Sequence, residues 1–176
     1  MPRKLLNSEL PRLTPQDFKA AEKAPIVLLL DNVRSQHNIG AAFRTADAFR
    51  IAKIYLCGIC AVPPGAEIHK AALGAEDTVD WQYEQHVITA IVALKQEGYT
   101  LIAVEQAENS VALHDFKPEK DKKYALVFGN EVKGVQQQVV DNCDFVLEIP
   151  QWGTKHSLNV SVSIGVILWD IVAKLR

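Results

Sequence analysis

Three short stretches of this chain hold polar residues of types that can do chemistry. They are Asn38 with Arg44, Glu131 between Gly129 and Gly134, and Ser157 with Asn159. In the first, Asn38 has the residue type of a helix cap, and Gly40 lets backbone or ligand approach closely. Arg44 stands among Ala41, Ala42, Ala46 and Ala48, small neighbours that leave its planar fork free to meet a phosphate bidentately. The alternative for Arg44 is a surface ion pair of little energetic weight. In the second stretch the two glycines are spaced as in a phosphate-binding loop. The Lys-Ser/Thr that should follow is missing, so nucleoside triphosphate binding is not supported. Glu131 is then either a solvated turn acid or part of a backbone cradle for a neutral or cationic ligand, and local sequence leaves both open. In the third, Ser157 has the type of an N-cap. Asn159 and Ser161 fall in a segment otherwise rich in Val160, Val162, Ile164, Val166, Ile167 and Leu168. A buried polar group without a partner costs about 1–3 kcal/mol, so a site or a subunit interface is expected to supply partners there.

The elements that must position these residues follow from the hydrophobic pattern. Residues 26–30 form an unbroken apolar run of strand length, as in a strand covered on both faces. Further strands are expected at 53–57, 100–104, 124–128 and 145–149. Helices are expected at 38–49, 84–96, 136–142 and 158–174. Strands alternating with helices imply an α/β domain with a mostly parallel sheet and helices on both faces, assigned to residues 25–176. Residues 1–24 are expected to be an N-terminal extension. Its short helix starts at Thr14-Pro15, with a Thr cap and Pro at the first helical position, and runs through Lys23. Ligands of open α/β sheets gather beyond the carboxyl ends of the strands, and the three polar stretches directly follow Leu30, Phe128 and Ile149.

Composition narrows the classes further. With 176 residues and 48% hydrophobic content the chain has material for one real core. No eighteen-residue apolar run or leader-like start is present, so a cytoplasmic protein without membrane attachment is expected. The three cysteines, Cys57, Cys60 and Cys143, cannot all pair, and the Cys57-x-x-Cys60 spacing has no second ligand pair. Reduced thiols and no metal are expected. A net charge of −2 does not by itself suggest a nucleic-acid binder. Basic residues do cluster, at Arg3, Lys4, Arg12, Lys19 and Lys23 and again at Lys117, Lys120, Lys122 and Lys123. No Gly-x-Gly-x-x-Gly follows the first strand, which counts against a dinucleotide-binding enzyme.

Taken in order, Asn38-Ile-Gly40-Ala-x-x-Arg44, Phe128-Gly-Asn130-Glu131-x-x-Gly134 and Ile149-Pro150-x-x-Gly153-x-x-x-Ser157-Leu158-Asn159 resemble the three signature motifs of the SpoU/TrmH-class SPOUT RNA 2′-O-methyltransferase family. Each motif alone is weak, whereas the ordered set covers nearly all of residues 25–175. The resemblance implies a SPOUT fold with a C-terminal trefoil knot, a homodimer, and S-adenosyl-L-methionine (SAM) held by Phe128, Gly129, Asn130, Gly134, Ile149, Pro150, Ser157 and Leu158. It also implies catalytic roles for Arg44, Asn38, Glu131, Ser157 and Asn159 in methylating a ribose 2′-hydroxyl of tRNA or rRNA. With only a short segment ahead of the first strand, tRNA is expected ahead of rRNA. A charge-stabilising role suits Arg44 better than that of a base, because arginine is essentially always protonated. The alternative within the same fold is a non-catalytic RNA- or SAM-binding protein.

Overall fold

In the computed structural model, which describes residues 1–176, the first apolar run forms strand β1 (Ala24–Asp31), buried from Ile26 onward. Alternate residues along it pack into two separate clusters. Ile26, Leu28 and Leu30 face one, and Val27 and Leu29 the other. A strand with both faces covered has no polar positions to show, which is why its sequence reads as a continuous apolar run.

Around β1 the chain builds α1 (Pro15–Ala20), α2 (Gln36–Ala48), β2 (Ile51–Cys57), α3 (Ala66–Ala72), β3 (Trp81–Glu84) and α4 (Val87–Gln96). It continues with β4 (Tyr99–Val104), β5 (Val111–Ala112), β6 (Lys123–Phe128), α5 (Gln137–Val140), β7 (Phe145–Glu148) and α6 (Val160–Leu175). The seven strands lie in the order β3-β2-β1-β6-β4-β7-β5, and every pair is parallel. Helices α2, α3 and α6 cover one face with Phe43, Ile68, Ile164 and Ile167, joined by Phe18 of α1. The other face is covered by α4 and α5 through Val87, Ile91, Leu94 and Val139. The expected α/β architecture with helices on both faces is therefore the observed one.

Several boundaries differ from expectation. Helix α1 stops at Ala20 rather than at Lys23. The Lys23 ammonium folds back onto the carbonyls of Phe18 and Ala21 and over the Phe18 ring, so this lysine caps the helix C-terminus and is not a free surface cation. Glu84 closes strand β3 instead of opening α4, and β3, α3 and β5 have no counterpart among the expected elements. These three are short, and β3 and β5 contain no fully buried residue, so neither leaves a periodic apolar signal.

Register decides where the loops emerge. Leu30 lies opposite Phe128, Phe128 opposite Val104, and Val104 opposite Leu147. The carboxyl ends of β1, β6, β4 and β7 are thus level, and the segments that follow them share one edge of the sheet.

Of the two close approaches expected at Gly40, backbone or ligand, the structure shows the backbone one. The residue lies where α2 crosses α3, and a Cβ there would collide with the Ile68 carbonyl and the Ala71 methyl. A backbone carbonyl within a helix cannot give way cheaply. Gly40→Ala is therefore expected to destabilise the protein by about 1–2 kcal/mol, overpacking outweighing the roughly 1 kcal/mol that alanine gains in helix propensity. Denaturant midpoints check this. Gly153→Ala, whose Cβ would meet nothing within 4 Å, should leave the midpoint unchanged.

Candidate functional site

The segment after β1 turns at Asn32, in the left-handed region at φ 57°, and enters α2. The cap of α2 is Ser35, whose hydroxyl accepts from the Asn38 amide N–H at 3.3 Å. Asn38, expected as the cap, is instead inside the first turn and 7% exposed, and this frees its side chain for other work. Its Nδ2 donates to Glu131 Oε1 at 3.1 Å, and its Oδ1 accepts from Asn159 Nδ2 at 3.2 Å. One amide thus joins all three polar stretches.

Glu131 is an exposed turn residue, yet its carboxylate is held by protein donors rather than left to solvent alone. Its two oxygens accept from the backbone N–H groups of Arg34 and Ser35, both at 3.0 Å, as well as from Asn38. Burial works against the carboxylate, but these donors together outweigh it and hold the group below the usual carboxylate range. Asp31, at the end of β1, behaves oppositely. It is 2% exposed, one of its oxygens has no partner, and burial raises it despite the Asn32 amide on the other oxygen.

The loop after β6 is folded on itself. Asn130 and Gly134 exchange backbone hydrogen bonds. The Asn130 side chain accepts from the Val132 and Lys133 amides and donates to the Asn32 carbonyl at 2.7 Å. A Cβ on Gly129 would strike the backbone of Gly134 and Val135. Gly134 combines φ 65° with contact against the Glu105 carboxylate, so both positions require glycine.

After β7 the chain runs without regular structure to α6, which Asn159 rather than Ser157 caps, accepting from Ser161 N at 2.9 Å and Ser161 Oγ at 2.6 Å. The expected helix containing a buried Asn159 is therefore corrected. Asn159 is exposed at the helix start, Ser161 is half-buried, and their partners are one another and Asn38. Helix α6 is apolar on two sides for two reasons. Ile164, Ile167, Leu168, Ile171 and Val172 enter the core, while Val162, Val166 and Trp169 face outward.

These loops wall a cavity of about 920 Å³ beyond the carboxyl ends of β4, β6 and β7. Phe128, Gly129, Asn130, Gly134, Ile149, Ser157 and Leu158 line it, together with Glu131 and Asn159. Pro150 and Asn38 are not in the lining, although both adjoin lining residues. Arg44 lies apart on the exposed surface of α2 and makes no ion pair or side-chain hydrogen bond, so the surface-pair alternative has no acid to support it.

Two lining residues were not singled out from sequence. Glu105 Oε2 accepts from Val135 N at 2.9 Å, and Gln106 Nε2 donates to the His156 carbonyl at 2.5 Å. The pair following β4 thus braces the loop after β6 with one side chain and the loop after β7 with the other. A signal was present, since both residues directly follow a buried strand, where ligand sites gather. Cys57 and Cys60 lie away from this cavity. Both are buried, the Cys60 thiol donates to the Leu30 carbonyl at 3.1 Å, and burial pushes Cys60 up to about 11.

The sequence profile of the SpoU rRNA Methylase family matches residues 25–169. A 23S rRNA (guanosine-2′-O-)-methyltransferase, RlmB, of Neisseria meningitidis is 33% identical over 144 residues, covering 82% of this chain and 56% of the relative. The A. aeolicus TrmH/SpoU tRNA modifying enzyme superposes with a TM-score of 0.80 at 24% identity, over 91% of this chain and 81% of its own, a likeness of fold alone. The AdoMet-bound rRNA methyltransferase of Sinorhizobium meliloti superposes with a TM-score of 0.77 at 25% identity, over 90% and 60%. The chain therefore spans little more than half the length of the first of these relatives.

The environment of Glu131 has a consequence for pH. A carboxylate held low in the folded state stabilises the protein above its unfolded pKa, and that contribution fades as pH falls through the folded value. Glu131→Gln keeps one accepting oxygen but turns an NH2 toward the Arg34 amide or toward the Ser35 and Asn38 donors, and should lower stability by about 1–2 kcal/mol at neutral pH, a charge-assisted contribution discounted for partial exposure. Melting curves across pH should show the gap between wild type and variant narrowing below the ordinary glutamate range. Taking the difference cancels the opposite contribution of Asp31. A gap independent of pH would contradict the assignment.

Proposed function

The chain belongs to the SpoU rRNA methylase family, and on that premise we propose that it transfers a methyl group from SAM to a ribose 2′-hydroxyl of a tRNA or rRNA. The observation that carries this is the cavity walled by the loops after β6 and β7 and tied to α2 through Glu131, Asn38 and Asn159. Its volume of about 920 Å³ falls in the usual range for small-molecule sites, about 300–1,000 Å³. Gly129 and Gly134 stand in its lining and let the loop after β6 fold close on itself along that wall. Phe128, Gly129, Asn130, Gly134, Ile149, Ser157 and Leu158 would hold the cofactor, with Pro150 fixing the exit of the chain from β7. When bound, SAM supplies an already activated sulfonium methyl.

What remains for the protein is to orient the ribose and manage one proton. Asn38, Glu131, Ser157 and Asn159 act as positioning residues around the mouth of the cavity. Arg44 holds the phosphate beside the reacting ribose and offsets the charge that develops on the 2′-oxygen, a role its permanent charge suits. The relatives named above are described as acting on rRNA in two cases and on tRNA in one, so mapping lost 2′-O-methyl groups in total RNA from a deletion strain decides the substrate. Residues 25–176 are assigned as the methyltransferase domain and 1–24 as its extension. The insertion of β6 between β1 and β4 and the seating of Asn159 on Asn38 support the knotted arrangement that the likeness implies. No helix is long and apolar enough to cross a membrane, and a cytoplasmic location fits an RNA substrate.

Calorimetry with SAM after chelation tests the proposed methyl transfer, since an absence of heat from folded protein would sink it. Arg44→Ala should then keep both SAM affinity and melting temperature while single-turnover methyl transfer falls by about 100-fold or more. Arg44→Lys should restore little, because lysine lacks the bidentate fork. Near-normal turnover in Arg44→Ala would remove the residue from the site.

The assembly we assign is a two-fold dimer through α6. That helix presents Val162, Val166 and Trp169 on one exposed stripe with Gly165 between them, and it packs on α2, which carries Arg44 outside the cavity lining. Light scattering at micromolar concentration should give twice the chain mass for wild type and the monomer mass for Val166→Lys. A wild-type monomer would overturn the assignment.

A further inference from the structure

The chain has three tryptophans, and they are disposed differently. Trp81 is half-buried at the start of β3, and Trp169 packs its ring 6.3 Å from that of Phe49. Trp152 is 91% exposed and has no aromatic partner. It stands in the irregular loop between β7 and α6, next to Gln151, which lines the main cavity. The loop is held where Gln106 meets the His156 carbonyl and where Asn159 caps α6. Val132, in the loop after β6 that lines the same cavity, is 83% exposed.

Cations frame the mouth of this cavity. Lys155 lies between Trp152 and His156, Lys133 lines the cavity, and Arg34 donates only its backbone N–H to Glu131. None of the three is in an ion pair. The acids here are mostly committed. Glu105 and Glu131 accept from backbone amides, leaving Glu108 as the exposed acid on the rim. An aromatic ring standing free among unpaired cations beside a ligand-sized cavity matches the physics of single-stranded nucleic acid binding. In such sites cations follow the backbone and a ring stacks on a base.

We propose that Trp152 is a stacking platform for an unpaired nucleobase of the RNA, which seats the target strand over the cavity while Arg34, Lys133 and Lys155 meet its phosphates. This rests on the RNA methyltransferase function proposed above and adds to it the part of the substrate that is recognised. The base next to a reacting ribose must be out of a regular duplex to lie on an exposed ring, so the favoured substrate is a loop or bulge rather than a continuous helix.

Two RNAs serve as probes, a hairpin with an unpaired loop and a blunt duplex made of the same stem. The emission of Trp152, taken as wild type minus Trp152→Phe, should be that of a solvent-exposed indole and should be quenched by the hairpin. Trp152→Ala should weaken hairpin binding by about 5- to 150-fold, the range of one base–aromatic stack, with little change for the duplex. Trp152→Phe should recover most of it. The slope of log affinity against log salt should be unchanged in Trp152→Ala but reduced by about 1 in Lys155→Ala, which separates stacking from phosphate contact. Equal hairpin affinity in wild type and Trp152→Ala, an equal loss on the duplex, or an indole already shielded in the free protein by a second copy of the chain would each overturn the proposal. SAM calorimetry on every variant keeps the two levels apart. Normal SAM heat with no Trp152 effect defeats this inference alone, whereas absent SAM heat in wild type defeats the methyltransferase function.

Discussion

The side-chain amide of Asn38 is the contact on which the arrangement of the site depends. It donates to Glu131 and accepts from Asn159, residues 93 and 121 positions away in sequence. Each of those partners also organises its own segment. Glu131 gathers the amides of Arg34 and Ser35 at the entrance to α2, and Asn159 caps α6. A nearly buried amide cannot be left with an open donor or acceptor without a cost of about 1–3 kcal/mol. The three loops are therefore held in one geometry or not held at all.

That contact is possible only because of the sheet. Strand β6 enters between β1 and β4, in parallel and in register, so the segments after Leu30, Val104 and Phe128 leave the sheet together. Glycine then permits what side chains would forbid. Gly129 and Gly134 let the loop after β6 close on itself and lie against Glu105, and Gly40 lets α2 approach α3 closely enough to bring Asn38 under the loops. The brace from Glu105 and Gln106 adds a fourth strand end to the same assembly. The cavity wall is thus built largely from backbone fixed by carboxylates and amides, a construction that suits recognition of a ligand by main-chain groups.

The edge of this assembly has a different character. Among the residues lining the cavity, the side chains of Glu105, Gln106, Asn130, Glu131 and Asn159 all have protein partners. At and beyond its rim, the side chains of Arg34, Arg44, Lys133 and Lys155 have none, Trp152 and Val132 are exposed to solvent, and α6 presents a second apolar stripe. Hydrogen-bonded groups make a rigid frame, whereas the free cations and the second apolar stripe face solvent. The net charge of −2 conceals this, because the cations that matter are few and local while the acids are spread or already bonded.

Much of this was legible in the amino-acid sequence. The apolar run of β1 and the later alternation of strands and helices determined a parallel α/β sheet, because strands covered on both faces leave no polar positions. The spacing of Asn38, Arg44, Glu131, Gly134, Ser157 and Asn159 marked the family and the three loops, since each follows a buried strand. The short elements β3, α3 and β5 were not legible, as they bury too little to show a period. Which residue capped α2 and α6 was not legible either. Ser35 and Asn38, or Ser157 and Asn159, are equally able caps in isolation. Only the tertiary structure, by aligning the ends of β1 and β6 and laying α6 on α2, gave Asn38 two distant partners and left Ser35 to cap. Sequence specifies what each segment prefers by itself, whereas a hydrogen bond between residues 121 positions apart exists only once the sheet has set their separation.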